Sequence, residues 1–208
     1  MDDYAVRCEG CELGEVPAEV FSKLKLRELL MSRNLLASIP ADIGKLKCLK
    51  TLRMDRNLLA SIPAEVGQLT QLTTLDLSSN NLTALPTELG LCVELQVINL
   101  IDNPLSSSYG DRTLSSIYYG TSEVPKIPEA ASRDPFLKKC TRQLLAHLRQ
   151  LLEPEQCGHV KQQLEELKKR DAQARLLKAM MTADGPALQK AVGEAEVAGV
   201  QVSVSMRK

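Results

Sequence analysis

The sequence predicts an α/β solenoid with a short parallel sheet on its concave face, followed by C-terminal α-helices. Three observations lead there. Asparagine returns at Asn34, Asn57, Asn80 and Asn103, always 23 residues apart. The apolar residues around it recur on the same interval, and helical periodicity begins only where that interval fails. A fixed period of about 20 to 50 residues marks stacked supersecondary units, each too small to bury its own apolar face.

The repeating frame explains each residue type. Leu26, Leu29, Met31, Leu36, Ile39 and Ile43 reappear as Leu49, Leu52, Met54, Leu59, Ile62 and Val66, then as Leu72, Leu75, Leu77, Leu82, Leu85 and Leu89, and finally as Leu95, Ile98, Leu100 and Leu105. Leu-x-x-Leu-x-Leu turns apolar side chains inward from a short strand. The asparagine ends that strand, and its amide, both donor and acceptor, can satisfy backbone groups left over at the turn. Losing one such amide is expected to cost about 1–3 kcal/mol for the group it orphans. Pro40, Pro63 and Pro86 fix the chain on its way back, where no interior helix hydrogen bond is needed.

Written out, the unit L-x-x-L-x-L-x-x-N-x-L-x-x-I-P-x-x-I/V/L-G runs through residues 26–105 without a gap. It resembles the leucine-rich repeat family in its short intracellular form with the Ile-Pro return. One frame earlier, Val6 and Cys8 take strand positions, Cys11 the asparagine position, and Leu13, Val16-Pro17 and Val20 the return. The resemblance accepts cysteine in place of asparagine, so residues 1–25 read as a degenerate capping repeat. The expected ladder is then Cys11, Asn34, Asn57, Asn80 and Asn103. The expected divisions are a solenoid over 1–105, a linker or edge-covering loop over 106–134, a helical region over 135–199 and a tail over 200–208.

Composition narrows the partners. The 208 residues are 44% hydrophobic and carry 26 basic and 26 acidic side chains, so bulk charge draws in neither nucleic acid nor an anionic membrane. With 3% aromatic residues and no Trp, no base-stacking platform is expected. No apolar run reaches the roughly 20 residues of a membrane span, and Met-Asp-Asp-Tyr is unlike a secretory leader, so a cytoplasmic location is expected, with the cytoskeleton or a cilium as variants. Secreted relatives in this family carry a disulfide-bonded C-terminal cap, whereas here Asn103-Pro104 leads into Leu105 and a serine run. Cys8 and Cys11 are spaced like metal ligands, but no second pair completes four, so neither metal nor cofactor is expected. Cys92 falls in register with Leu46 and Leu69 and reads as a small buried hydrophobe.

After Pro104 the frame fails, and the stretch to Asp134 is rich in Ser, Tyr, Gly and Pro. Its tyrosines Tyr109, Tyr118 and Tyr119 are expected to lie over the last repeat and protect its edge, because solenoids need capped ends. Asp134-Pro135 reads as a helix start. Leu137, Leu144, Leu145, Leu148, Leu151 and Leu152 share one face of that helix, which ends before Pro154. Residues 140–149 resemble the G-T-x-x-L-L-x-Y-L-R helix that follows the last repeat in some cytosolic members, with Cys140 for Gly and His147 for Tyr. That resemblance implies docking on the stack. A second helix is expected from about Glu155 to Met181, with Val160, Leu164, Leu167, Ala174, Leu177 and Met181 along one stripe and a Glu165–Lys169 pair. Asp184-Gly185-Pro186 starts a third, with Leu188, Ala191, Val192 and Ala195 inward and Gly199 at its end. Val200, Val202 and Val204 alternate like a strand.

For function, the sequence holds no catalytic constellation: His147 and His159 stand apart from any nucleophile, and no phosphate loop or metalloprotease motif occurs. Ubiquitin ligase-like effectors join similar repeats to a helical domain with a nucleophilic cysteine, but their Cys-x-Asp motif is matched by neither Cys140 nor Cys157. Recognition is the better reading. Positions between the core leucines face the concave side, and Arg27, Arg33, Lys50, Arg53, Asp55, Arg56, Asp76, Asn99 and Asp102 are the candidates for binding a protein partner. The first two rows are basic and the last two neutral to acidic, a gradient that would orient a complementary partner. Two roles follow: a non-enzymatic adaptor whose C-terminal helices dock into a larger assembly, or an architectural subunit of a cytoskeletal or ciliary complex.

Overall fold

The computed structural model describes residues 4–105, 130–182 and 185–200. It divides into two compact units, Met1–Glu153 and Pro154–Lys208. In the first, strands β1 (Ala5–Arg7), β2 (Glu28–Leu30), β3 (Thr51–Arg53), β4 (Thr74–Asp76) and β5 (Val97–Asn99) form one parallel sheet in sequence order. The register never slips: Val6 pairs with Leu29, Leu29 with Leu52, Leu52 with Leu75 and Leu75 with Ile98. Each strand is short because only its middle residue points to the core before the asparagine turns the chain.

The returns are 3-10 turns at Ala18–Ser22, Ala41–Lys45, Ala64–Gln68 and Thr87–Leu91. Pro17, Pro40, Pro63 and Pro86 stand at their starts, extended and lacking the N–H that such a position would leave unpaired. Within the coils Leu26, Leu29, Met31, Leu36, Ile43 and their equivalents are buried, except Leu105 of the last coil, which is only partly so. At about 1.5–3 kcal/mol per large aliphatic side chain, this column is the main source of stability. Val6, Cys8 and Leu13 of the first coil pack against the column only partly buried, as suits a cap.

Glycine sets the distance between coils. A Cβ on Gly67 would collide with the Glu88 backbone of the next coil, and one on Gly44 would crowd the Glu65 carbonyl at 3.1 Å. At the last coil the same slot is filled by helix α1 (Ala130–Gln150): a Cβ on Gly90 would lie 3.2 Å from Arg149 Cγ. Helix α1 thus occupies the place of a further coil. Leu137, Cys140, Leu144, Leu145 and Leu148 join the solenoid core. Thr141 Oγ1 accepts the Ile98 N–H at 2.8 Å and donates to Leu137 O at 2.7 Å, covering a donor on edge strand β5. Arg149 Nε donates to Gly90 O at 2.9 Å.

The second unit consists of α2 (Pro154–Thr182) and α3 (Gly185–Val197). They pack through Ala172, Leu176, Ala179, Ala191, Val192 and Ala195, with Leu188 and Val200 alongside, and Arg175 pairs with Glu194 at 3.0 Å. The end of α3 follows from Gly199. At φ +73° it lets Gly199 N–H reach Glu196 O at 3.0 Å and Val200 N–H reach Ala195 O at 2.9 Å, a Schellman cap.

Several expectations are corrected. Helix α1 begins at Ala130, ahead of Asp134-Pro135. Residues 130–134 include helix formers, and a proline close to a helix start removes a single hydrogen bond. Leu151 is exposed, because the helix has ended at Gln150. On α2 Val160 is buried as expected, but further along the buried residues are Ala172, Leu176 and Ala179, while Ala174, Leu177 and Met181 face water. Ala172, Leu176 and Ala179 lie at 3–4 residue spacing and pack against Ala191, Val192 and Ala195 of α3. Glu165 pairs with Lys168 at 2.8 Å instead of Lys169, and that contact holds its carboxyl below the usual range. The edge-covering loop, with its tyrosines and serines, and the tail beyond Val200 lie outside the described residues.

Candidate concave binding face

The face is held by the asparagine column behind it. Asn57 Oδ1 accepts the Leu36 N–H of the preceding coil at 3.1 Å. Its Nδ2 donates to Met31 O and Met54 O, both at 3.0 Å. Asn80 repeats the pattern with Leu59 N–H at 3.0 Å and Met54 O at 2.9 Å, and Asn103 with Leu82 N–H at 3.0 Å and Leu77 O at 2.9 Å. Asn34 reaches into the cap, accepting from Cys11 N–H at 3.0 Å and Leu13 N–H at 3.1 Å. The Cys11 side chain makes one hydrogen bond among the described residues, from its thiol to Glu9 O at 3.6 Å, and is exposed. A thiol has no second arm with which to bridge coils.

The residue before each asparagine stands in the left-handed region: φ is 57° at Arg33, 56° at Arg56, 54° at Ser79 and 58° at Asp102. Gly10 holds the equivalent place in the cap at φ 65°. This backbone costs a non-glycine residue about 1–2 kcal/mol, offset here by the backbone pairs on either side. Sequence reasoning did not anticipate it; the glycine at Gly10 was the available sign.

On the face itself, Arg27, Lys50 and Arg53 are exposed, as are Arg33 and Arg56 at its rim. Arg27 lies over the Tyr4 ring, 5.1 Å from its centroid. Among the described residues Arg33, Lys50, Arg53 and Arg56 have no ion-pair partner. The acidic candidates are occupied within the fold. Asp55 accepts from Ser32 Oγ, Asp76 from Ser78 N–H at 3.1 Å and Ser78 Oγ at 2.7 Å, and Asp102 from Ser79 Oγ at 3.3 Å. Asn99 is buried, and its Oδ1 accepts the Ile101 N–H at 3.3 Å. Ile101 is buried as well. In the last row Asn99 and Ile101 are thus closed off while Gln96 and Asp102 stay exposed, and the exposed cations flank β2 and lie on and beside β3.

Two thiols in this unit, Cys92 and Cys140, are buried, which disfavours their thiolate forms. Burial pushes the Cys92 thiol up to about 12 against the smaller pull of Arg149, and its Sγ donates to Val66 O at 3.3 Å. Burial likewise raises Cys140, against the smaller effect of Lys139. Cys8, Cys11 and Cys48 are free, and the described residues contain no group of three or more His, Cys, Asp or Glu placed to hold a metal ion. No helix among the described residues is long and apolar enough to cross a membrane.

Residues 47–105 match the family described as leucine rich repeat. Among solved structures, a leucine-rich repeat protein of Leptospira interrogans is similar at 33% identity over 54% of this chain and 28% of that one, with a TM-score of 0.47. The functional domain of InlJ from Listeria monocytogenes, which includes a cysteine ladder, is similar at 24% identity over 54% of this chain and 23% of that one, TM-score 0.44. An internalin, InlF, of the same organism is similar at 22% identity over 47% and 27%, TM-score 0.42. This chain spans less than a third of the length of each. No curated protein matches it.

Proposed function

Because this chain is a leucine-rich repeat protein, built on a fold that generally serves protein–protein interaction, we propose that it is a non-enzymatic adaptor whose concave sheet grips a protein partner. The observation that carries the reading is the set of exposed cations Lys50 and Arg53 at β3 and Arg33 and Arg56 at the rim, which have no ion partner among the described residues. A basic sheet face of that kind orients and accelerates capture of an acidic surface. The second unit supplies the attachment to a larger assembly. Leu177 and Val197 are exposed and Met181 is 87% exposed, apolar side chains available for such an attachment. The architectural role in a cytoskeletal or ciliary complex shares this second surface, and the location proposed for either is cytoplasmic. A ligase-like chemistry is disfavoured at Cys140, whose burial works against the thiolate a nucleophile requires.

Affinity purification with mass spectrometry, comparing the intact chain with Arg53→Glu plus Arg56→Glu, tests the adaptor reading. The double variant should lose its partner while its melting temperature stays nearly unchanged, both side chains being exposed. Equal capture by both would discard the concave face as the binding surface.

A further inference from the structure

The middle coils carry an apolar pair that the concave reading leaves unused. Leu35 and Leu58 follow ladder asparagines and are 53% and 49% exposed. Leu35 N–H donates to Leu13 O at 2.8 Å and Leu58 N–H to Leu36 O at 2.9 Å, so this turn is stacked coil upon coil, about 5 Å apart. Arg33 and Arg56, two residues earlier, stack in the same way, donating to Asp55 O and Ser78 O, both at 2.9 Å. The inward asparagine between them turns both neighbours outward, and each coil thereby presents one arginine and one leucine on a single rim. The pattern is confined to these coils: Glu12 precedes Leu35 in register and Asn81 follows Leu58. Exposed leucines scattered singly call for no explanation, but a stacked pair bordered by unpaired guanidinium groups does.

We propose that this rim takes an acidic linear segment of another protein, seating one large apolar side chain on Leu35 and Leu58 while flanking carboxylates pair with Arg33 and Arg56. It rests on the concave-face reading and adds the partner's chemistry. A guanidinium is planar, permanently charged and weakly hydrated, so it meets a carboxylate through two parallel hydrogen bonds. The leucine pair supplies the desolvated anchor that charge alone lacks and thereby lengthens the complex's lifetime. Two coils span about 10 Å, the length of about three extended residues. That matches a short peptide, whereas surface binding to lipid calls for a much larger continuous apolar face.

Selection of a displayed random-peptide library on the full-length chain tests the proposal. The enriched peptides should combine a Phe, Leu, Ile or Met with neighbouring Asp or Glu. A labelled synthetic copy should bind at least tenfold more weakly to Leu35→Ser with Leu58→Ser, at unchanged melting temperature, and more weakly in added salt. Absence of enrichment, or enrichment without acidic residues, overturns it. Acidic peptides that are lost on Lys50→Glu with Arg53→Glu yet keep full affinity for the leucine variant discard the rim and leave the concave reading standing. Peptides indifferent to both variants remove both. Sedimentation with phosphatidylserine vesicles that the leucine variant abolishes, without any acidic peptide, assigns the rim to a membrane and overturns the proposal too.

Discussion

At Asn57 one carboxamide meets backbone groups of two coils, among them Leu36 N–H, Met31 O and Met54 O. None of these has water as an alternative, so Asn57→Ala should cost about 1–3 kcal/mol for each group left unpaired. Urea denaturation monitored by circular dichroism should show a lower midpoint with an unchanged slope. This part of the fold was legible because the amide requirement repeats every 23 residues. The left-handed turn beside it was not, since arginine, serine and aspartate occupy a conformation that composition does not announce. Nor could the sequence show that Asp55 and Asp76 accept hydrogen bonds from nearby serines, which orient those carboxylates and leave their charge in place. Cys92 makes a separate prediction. Its thiol titrates near 9.0 in the unfolded chain and at about 12 when buried. Below pH 9 both states hold the proton and stability is flat; above it only the folded state does, so stability falls, by about 1.4 kcal/mol per pH unit for this group. Cys92→Ala should start from a lower midpoint yet lose less between pH 9 and 10.5.

Helix α1 completes the solenoid at the level of elements. Thr141→Val keeps the shape of the side chain but leaves the Ile98 N–H without its acceptor, and a loss of about 1–3 kcal/mol is expected in the same assay. Gly67→Ala should be worse than Gly90→Ala. The first drives a methyl group into backbone that the sheet register fixes, whereas the second meets a side chain and a helix that can shift by tenths of an ångström. Docking of this helix was what the resemblance in residues 140–149 implied, and its leucines gave the face that docks. Its true start was missed, since Asp134-Pro135 imitates a cap. The stripe on α2 was misread for a different reason: the long side chains Leu177 and Met181 suggested an interior, but α3 offers alanines, and close helix packing selected Ala172 and Ala179.

For the molecule as a whole, the compact-unit boundary lies after Glu153, between the helix that the sequence ends before Pro154 and the one it starts at about Glu155, and so within the helical region expected over 135–199. A chain ending at Glu153 should keep the thermal transition of the solenoid in scanning calorimetry, whereas one ending at Leu105 should melt lower or aggregate, its last coil stripped of Leu144, Leu145 and Leu148. Partner retention should follow the same logic, with binding to the concave face surviving removal of α2 and α3. Periodicity located the break between the two helices at Pro154 but could not show that it is also the boundary between units, because that depends on what each helix is packed on. The glycine slot adds one consequence. Since Gly67 accepts another coil and Gly90 accepts α1 in the same manner, the array can be elongated by duplicating one 23-residue turn ahead of the final one without redesigning its terminus. An insertion one residue longer or shorter would turn every later leucine away from the column, so evolution can lengthen this scaffold only in whole steps.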